Sequence, residues 1–135
     1  MKPDELHKNV LKARSEFYET NDCTVQAIAL ATGEGYEMAH YAMQCAGRLP
    51  RKGSSIGAMK RAAHQLGFSM TRVPLREYSA KTAISLERNS LKGAYIVEFK
   101  WHVAAMVGGK VLDWVQGRRF RLLSLYKIEK ISQKP

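Results

Sequence analysis

Cysteine, histidine and aspartate are residue types from which nucleophilic hydrolases are built, and the chain carries them in that order at Cys23, His102 and Asp113. A cysteine attacks as its thiolate, so it needs a neighbour that favours the anion near neutral pH. A histidine takes the thiol proton and later returns it to the leaving group. A carboxylate that accepts a hydrogen bond from the imidazole orients that ring. We therefore interpret Cys23 as a nucleophile, His102 as its base and Asp113 as the orienting group.

The first of these residues opens a predicted helix. Residues 23–32, CTVQAIALAT, are almost wholly apolar, Asp22 is a residue type that caps helix starts, and Gly33 is a type that ends helices. A helix that is apolar on every side is predicted to be buried. The free N–H groups and partial positive charge at its start favour an anion, so position 23 suits a reactive thiolate.

His102 and Asp113 lie on the two arms of a predicted hairpin. Residues 102–107 and 110–115 are β-rich, and the Gly108-Gly109 pair between them is a strong turn signal. With the turn centred there, facing residue numbers add up to 217, so His102 faces position 115 and Asp113 lies on the diagonal. Diagonal neighbours are roughly 7–8 Å apart, within side-chain reach if both side chains point to one face.

The other elements separate into two halves. Helical spacing predicts helices over 4–18, 36–46 and 54–66, with Ser54 or Ser55 as the cap of the last. The pattern then predicts a strand over 68–73, a short helix within 80–89, and strands over 94–99 and 119–128. This separation indicates an α+β fold whose N-terminal helices pack on a C-terminal antiparallel sheet. The length of 135 residues suits one domain over 1–135.

Two segments carry a resemblance to a known family. The segment NDCTVQAIALATG resembles the nucleophile helix of papain-like cysteine peptidases, and KGAYIVEFKWHVAAMVGGKVLDW resembles their core hairpin. The likeness covers about residues 20–128 and is strongest to small phage and bacterial proteins related to the bacteriocin-processing peptidases. It implies a papain-like fold, cleavage of an amide bond in a peptide or protein substrate through a thioester, and no cofactor. It also implies a phage origin, with the host cytoplasm as location.

The chain departs from that family at the oxyanion hole. Papain-type enzymes carry a Gln several residues before the nucleophile, whereas here position 17 is Phe17 and no Gln precedes Gln26. Asn21 is the nearest donor in the chain. One missing donor is worth about 2.7–4 kcal/mol in the barrier. A papain-like scaffold without turnover is therefore the alternative that the sequence leaves open.

The charge distribution suggests a second function class. The net charge is +10, and residues 38–76 hold seven Lys or Arg and no Asp or Glu. A polyanionic partner, with nucleic acid as the leading candidate, is as compatible with this pattern as a basic surface that only faces water. DNA or a host protein would be the partner of a scaffold without turnover. The binding bases would lie within 48–76 and 118–130, namely Arg48, Arg51, Lys52, Lys60, Arg61, Arg118, Arg119 and Arg121.

A helix-turn-helix is the rival DNA-binding interpretation. Residues 25–44 imitate that motif, with Ala29 and Gly33 at the expected separation, but the second helix has few bases.

Composition argues against several other classes. The N-terminus is charged throughout, which argues against a secretory signal peptide. No apolar run approaches the roughly 20 residues that span a bilayer, which argues against a transmembrane helix. The two cysteines, Cys23 and Cys45, form no metal-binding spacing, and Cys45 is interpreted as a packing residue. We expect a cytoplasmic protein without metal or membrane contact, as a monomer or a homodimer.

Overall fold

The computed structural model describes residues 2–16, 22–49, 52–78, 80–100, 102–112 and 121–131. Within these ranges the chain has an α+β fold, with N-terminal helices packed on an antiparallel sheet of C-terminal strands, which confirms the predicted fold class. The helices are α1 (Pro3–Glu16), α2 (Cys23–Thr32), α3 (Tyr36–Cys45), α4 (Ile56–Gln65) and α5 (Ala83–Glu87), with a 3-10 helix at Leu75–Tyr78. The strands are β1 (Phe68–Val73), β2 (Ala94–Phe99), β3 (His102–Val107), β4 (Lys110–Leu112) and β5 (Leu122–Lys130).

The sheet has the strand order β1-β5-β2-β3-β4, and every neighbouring pair is antiparallel. The last strand thus lies between the first strand and the second. β5 begins at Leu122 and continues to Lys130, two residues beyond the predicted end, because its pairing with β1 extends to the partners Phe68 and Lys130.

The β3–β4 hairpin has the predicted register. Val107 faces Lys110 and Ala105 faces Leu112, as expected for a turn centred on Gly108-Gly109. Both glycines have positive φ, 60° and 81°, as the central residues of a type I′ turn require. The glycine pair therefore sets which residues of the two arms face each other.

Helix α2 is buried along its length, from Thr24 to Ala31. It packs on β3 and against α1 and α3, and its Val25 and Ile28 share one core with Ile96 of the sheet. The opposite face of the sheet is covered by a second core around Leu86 of α5. Because α2 packs directly on β3, the start of α2 has a defined position relative to that strand.

The helix ends follow local sequence signals. Gly33 ends α2 in the left-handed conformation, with φ of 72°. Of the two serines predicted as the cap of α4, Ser55 takes that role, because its hydroxyl accepts a hydrogen bond from the Ala58 N–H at 3.1 Å. None of the described helices has the length and apolar character needed to cross a membrane.

Candidate active site

Cys23 and His102, 79 positions apart in the chain, line the same cleft. Cys23 is the first residue of α2 and His102 is the first residue of β3. The remaining wall consists of Gln26, Ala27, Val103, Ala104 and Leu112. The cleft has an empty volume of about 180 Å³, which includes open solvent, and has room for no more than about one water molecule. A substrate would therefore approach Cys23 from the surface and would not fill a deep pocket.

The surroundings of Cys23 favour its thiolate. Burial raises the pKa of the Cys23 thiol, but a hydrogen bond with the His102 side chain, a hydrogen bond from the Val103 backbone N–H and the charge of His102 all lower it. The charge of Asp22 raises it slightly. The pKa of Cys23 is lowered overall, which is the condition for a nucleophilic cysteine paired with a histidine.

The imidazole of His102 packs against an aromatic side chain. Phe99 faces His102 across the β2–β3 pair, and the two rings are stacked with centroids 6.0 Å apart and planes inclined by 21°. Phe99 is itself buried in the second core. Packing against a fixed ring restricts rotation of the imidazole and keeps it beside Cys23.

Two of the predicted site residues, Asp113 and Asn21, lie outside the described residues. Asp113 follows Leu112 directly in the chain, and Asn21 precedes Asp22. Their roles as orienting group and oxyanion donor remain predictions.

No protein-family model, curated protein or solved structure matches this chain. A functional assignment therefore depends on the geometry of the site and on the sequence motifs.

Asp22 occupies the N-cap position of α2 as predicted, but its side chain does not act as the cap. Its side chain makes no capping hydrogen bond. Instead, Oδ1 accepts hydrogen bonds from Arg14 Nε at 2.7 Å and Gln26 Nε2 at 3.0 Å, and Oδ2 accepts one from Tyr36 Oη at 2.7 Å. The residue is 1% exposed, and a buried carboxylate gains more from three donors, one of them charged, than from one backbone N–H. Through Arg14 of α1 and Tyr36 of α3, Asp22 thus links these two helices to the start of α2, where Cys23 lies.

Sequence reasoning missed two contributors to the cleft. The Val103 N–H, which stabilises the thiolate, is a backbone group, so the type of residue at position 103 does not predict this contact. Gln26 lines the cleft three positions after Cys23, and residues at that spacing share one helix face. That spacing was the signal that would have placed Gln26 beside the nucleophile.

The residues predicted to contact nucleic acid differ in their exposure to solvent. Arg48 is only 5% exposed, and its Nε donates to the Lys52 carbonyl oxygen at 2.8 Å, so its guanidinium stabilises the loop after α3. Lys60 is exposed, with its Nζ 5.6 Å from the centroid of the Tyr126 ring. Lys52, Arg61 and Arg121 are also exposed, whereas Arg51, Arg118 and Arg119 lie outside the described residues.

The helix-turn-helix interpretation is not favoured by the packing of α2 and α3. The first helix of the motif, α2, is buried against the sheet. The second, α3, carries no Lys or Arg, and its exposed residues are Glu37, Met38, Tyr41, Gln44 and Cys45. A recognition helix needs cations or hydrogen-bonding groups directed at phosphates and base edges, which this surface provides poorly.

Among the described residues, no group of three His, Cys, Asp or Glu side chains is arranged to hold a metal ion.

Proposed function

We propose that this protein is a cysteine-type hydrolase of the papain-like class that cleaves an amide bond in a peptide or protein. The observation that carries the proposal is that Cys23, at the start of α2, and His102, at the start of β3, line one cleft, where a hydrogen bond with His102 and its charge lower the pKa of the Cys23 thiol. The α+β arrangement and the chain order of Cys23, His102 and Asp113 support it.

The chemistry follows from the positions of these groups. The Cys23 thiolate attacks the carbonyl carbon, and the oxygen becomes an anion near the start of α2, where helix N–H groups favour negative charge. Protonated His102 donates its proton to the leaving amine as the carbon–nitrogen bond breaks, which leaves a thioester on Cys23. Neutral His102 then takes a proton from water, the hydroxide attacks the thioester, and the acid product leaves as the thiolate re-forms.

A peptide digest tests this proposal. The wild-type protein, Cys23→Ser and Cys45→Ser would each be incubated with a library of peptides, and new termini would be identified by mass spectrometry. We expect cleavage by the wild type and by Cys45→Ser, whose exposed thiol lies on α3, and loss of cleavage in Cys23→Ser. Cleavage that persists in Cys23→Ser would contradict the assignment of the nucleophile.

The second candidate is a papain-like scaffold without turnover that binds DNA or a host protein through basic residues. The specific observation is that Lys52, Lys60, Arg61, Arg72 and Arg76 are all exposed within a segment that has no acidic residue. Arg72 and Arg76 also line an open cleft with Pro74 and Leu75, and its empty volume of about 650 Å³ includes open solvent. A phage origin and a cytoplasmic location belong to both proposals.

A further inference from the structure

The outward face of α3 carries an apolar stripe beside two exposed polar residues, Glu37 and Gln44. Its inner face buries Tyr36, Ala39, Ala42 and Met43. Met38 and Tyr41, three positions apart, are 49% and 59% exposed, and Cys45 continues the same face one turn later. The Tyr41 hydroxyl forms a hydrogen bond with Cys45, which raises the pKa of Tyr41. A surface helix normally directs polar residues outward, so this stripe of Met38, Tyr41 and Cys45 has the character of a contact surface.

The two ends of this stripe carry opposite charges. Glu37 is exposed at the start of α3, and Glu34 is exposed just before the helix. At the other end, the exposed Arg61 of α4 donates from Nη2 to the Ala46 carbonyl oxygen at 3.1 Å. That hydrogen bond holds a guanidinium at the C-terminal end of α3. An acidic end, an apolar centre and a basic end therefore follow one another along a single helix.

We propose that a second copy of this chain covers the stripe, through antiparallel contact of the two α3 helices about a twofold axis. The midpoint between Met38 and Cys45 falls beside Tyr41, so a twofold axis there places Met38 of each copy level with Cys45 of the other. Glu37 of each copy then lies level with Ala46 of the other, where Arg61 is held. We expect Glu37 of each copy to pair with Arg61 of the other, and a twofold axis repeats this pairing on both sides, as an isologous interface requires.

The charge pattern favours this occupant over a nucleic acid or a basic protein. Glu34 and Glu37 at one end of the stripe would repel a polyanion, and Arg61 at the other end would repel a basic partner. A second copy in antiparallel orientation satisfies both ends at once. A helix of ten residues is about 15 Å long, so the contact is small, and we expect a dissociation constant of about 10–100 µM.

Sedimentation velocity over a concentration series, in reducing buffer, tests the dimer. Glu37→Arg and Arg61→Glu should each raise the Kd about tenfold or more, because each places like charges together at both ends of the contact. The double variant Glu37→Arg/Arg61→Glu restores opposite charges and should return the Kd to within about threefold of the wild type. Leu123→Glu changes a residue of β5 that is 50% exposed and should leave the Kd unchanged.

Cross-linking tests the orientation independently of the charges. Met38→Cys should form a disulfide-linked dimer through Cys45 of the second copy under mild oxidation, whereas the wild type and Leu123→Cys should not. Circular dichroism on each variant shows whether the helix content of the chain is retained when Arg61 no longer binds Ala46. A monomer at every concentration, or a dimer that the double variant does not restore, would overturn the proposal.

Discussion

At the scale of single residues, the hydrogen bond between His102 and Cys23 determines how readily the thiol ionises. Burial alone would raise the pKa of Cys23, and the groups that lower it are His102 and the Val103 N–H. If His102 is replaced, the Val103 N–H is therefore the one remaining group of these that lowers the pKa of Cys23, and burial still raises it. The reactivity of Cys23 should depend on an imidazole that is far away in sequence.

The rate of Cys23 alkylation by iodoacetamide should show this dependence. Only the thiolate reacts, so the rate rises with pH, and a lowered pKa moves this rise to lower pH than for a free thiol. We expect the His102→Ala profile to lie at higher pH than the wild-type profile. The measurement uses a Cys45→Ser background, so that Cys23 is the remaining thiol. A Cys23 profile that does not respond to His102→Ala would remove the basis for the hydrolase proposal.

Asp22 acts next to the nucleophile but in a structural role. In Asp22→Asn, the charge that binds Arg14 is lost and the amide nitrogen cannot accept the hydrogen bond of one donor. We expect the free energy of unfolding to fall by about 2–4 kcal/mol, measured by urea denaturation. The alkylation profile of Cys23 should stay in place or move to lower pH, because the charge of Asp22 raises the thiol pKa.

Asp4→Asn is the matched control for Asp22→Asn. Asp4 also accepts from a cation, Lys110 Nζ at 2.7 Å, but both side chains are mostly exposed. An exposed ion pair contributes little, so this variant should unfold like the wild type. An equal decrease in the free energy of unfolding in both variants would show that the buried hydrogen bonds of Asp22 stabilise the fold no more than an exposed ion pair does.

At the scale of the elements, the end of α3 depends on a backbone conformation that glycine provides. Gly47 has a φ of 106°, its N–H donates to the Gln44 carbonyl oxygen at 3.0 Å, and the Arg48 N–H donates to the Met43 carbonyl oxygen at 2.9 Å. This pair of hydrogen bonds is a Schellman motif, which ends the helix and turns the chain toward α4.

Gly47→Ala should therefore lower the free energy of unfolding by at least about 1 kcal/mol. A methyl group at this position would meet nothing within 4 Å, so the cost comes from the backbone alone. Gly53→Ala is the control, because that position is equally open and its φ is not positive. Urea denaturation should show no loss for Gly53→Ala, and equal losses in both variants would contradict the argument.

At the scale of the whole molecule, the net charge is +10, and the salt dependence of DNA binding tests whether this charge serves the second candidate function. If the basic surface binds DNA, the logarithm of the binding constant should fall with the logarithm of salt concentration, with a slope of about −0.9 for each phosphate contact. Lys60→Glu/Arg61→Glu should make the slope shallower, whereas Cys23→Ser should leave it unchanged. Fluorescence anisotropy with a labelled duplex measures both effects. Absence of binding at low salt would exclude the DNA-binding alternative.

Much of the fold was predictable from the sequence because its signals are local. The apolar run after Asp22 predicted α2 and placed Cys23 at its first residue, as the structure shows. The Gly108-Gly109 turn predicted the register of β3 with β4. Helical and alternating periodicities predicted the order of the remaining elements and hence the α+β class. Each of these features depends on residues close together in the chain, so neighbouring residue types were sufficient to determine them.

The tertiary structure alone decided which distant groups meet. It inserts β5 between β1 and β2, and it directs the Asp22 carboxylate toward Arg14 and Tyr36 instead of the helix N–H groups. It also buries Arg48, which was predicted to belong to a nucleic-acid surface. These outcomes depend on how helices pack on the sheet and on which buried polar groups find partners. Such contacts join residues that are remote in the chain, and no local pattern of residue types encodes them.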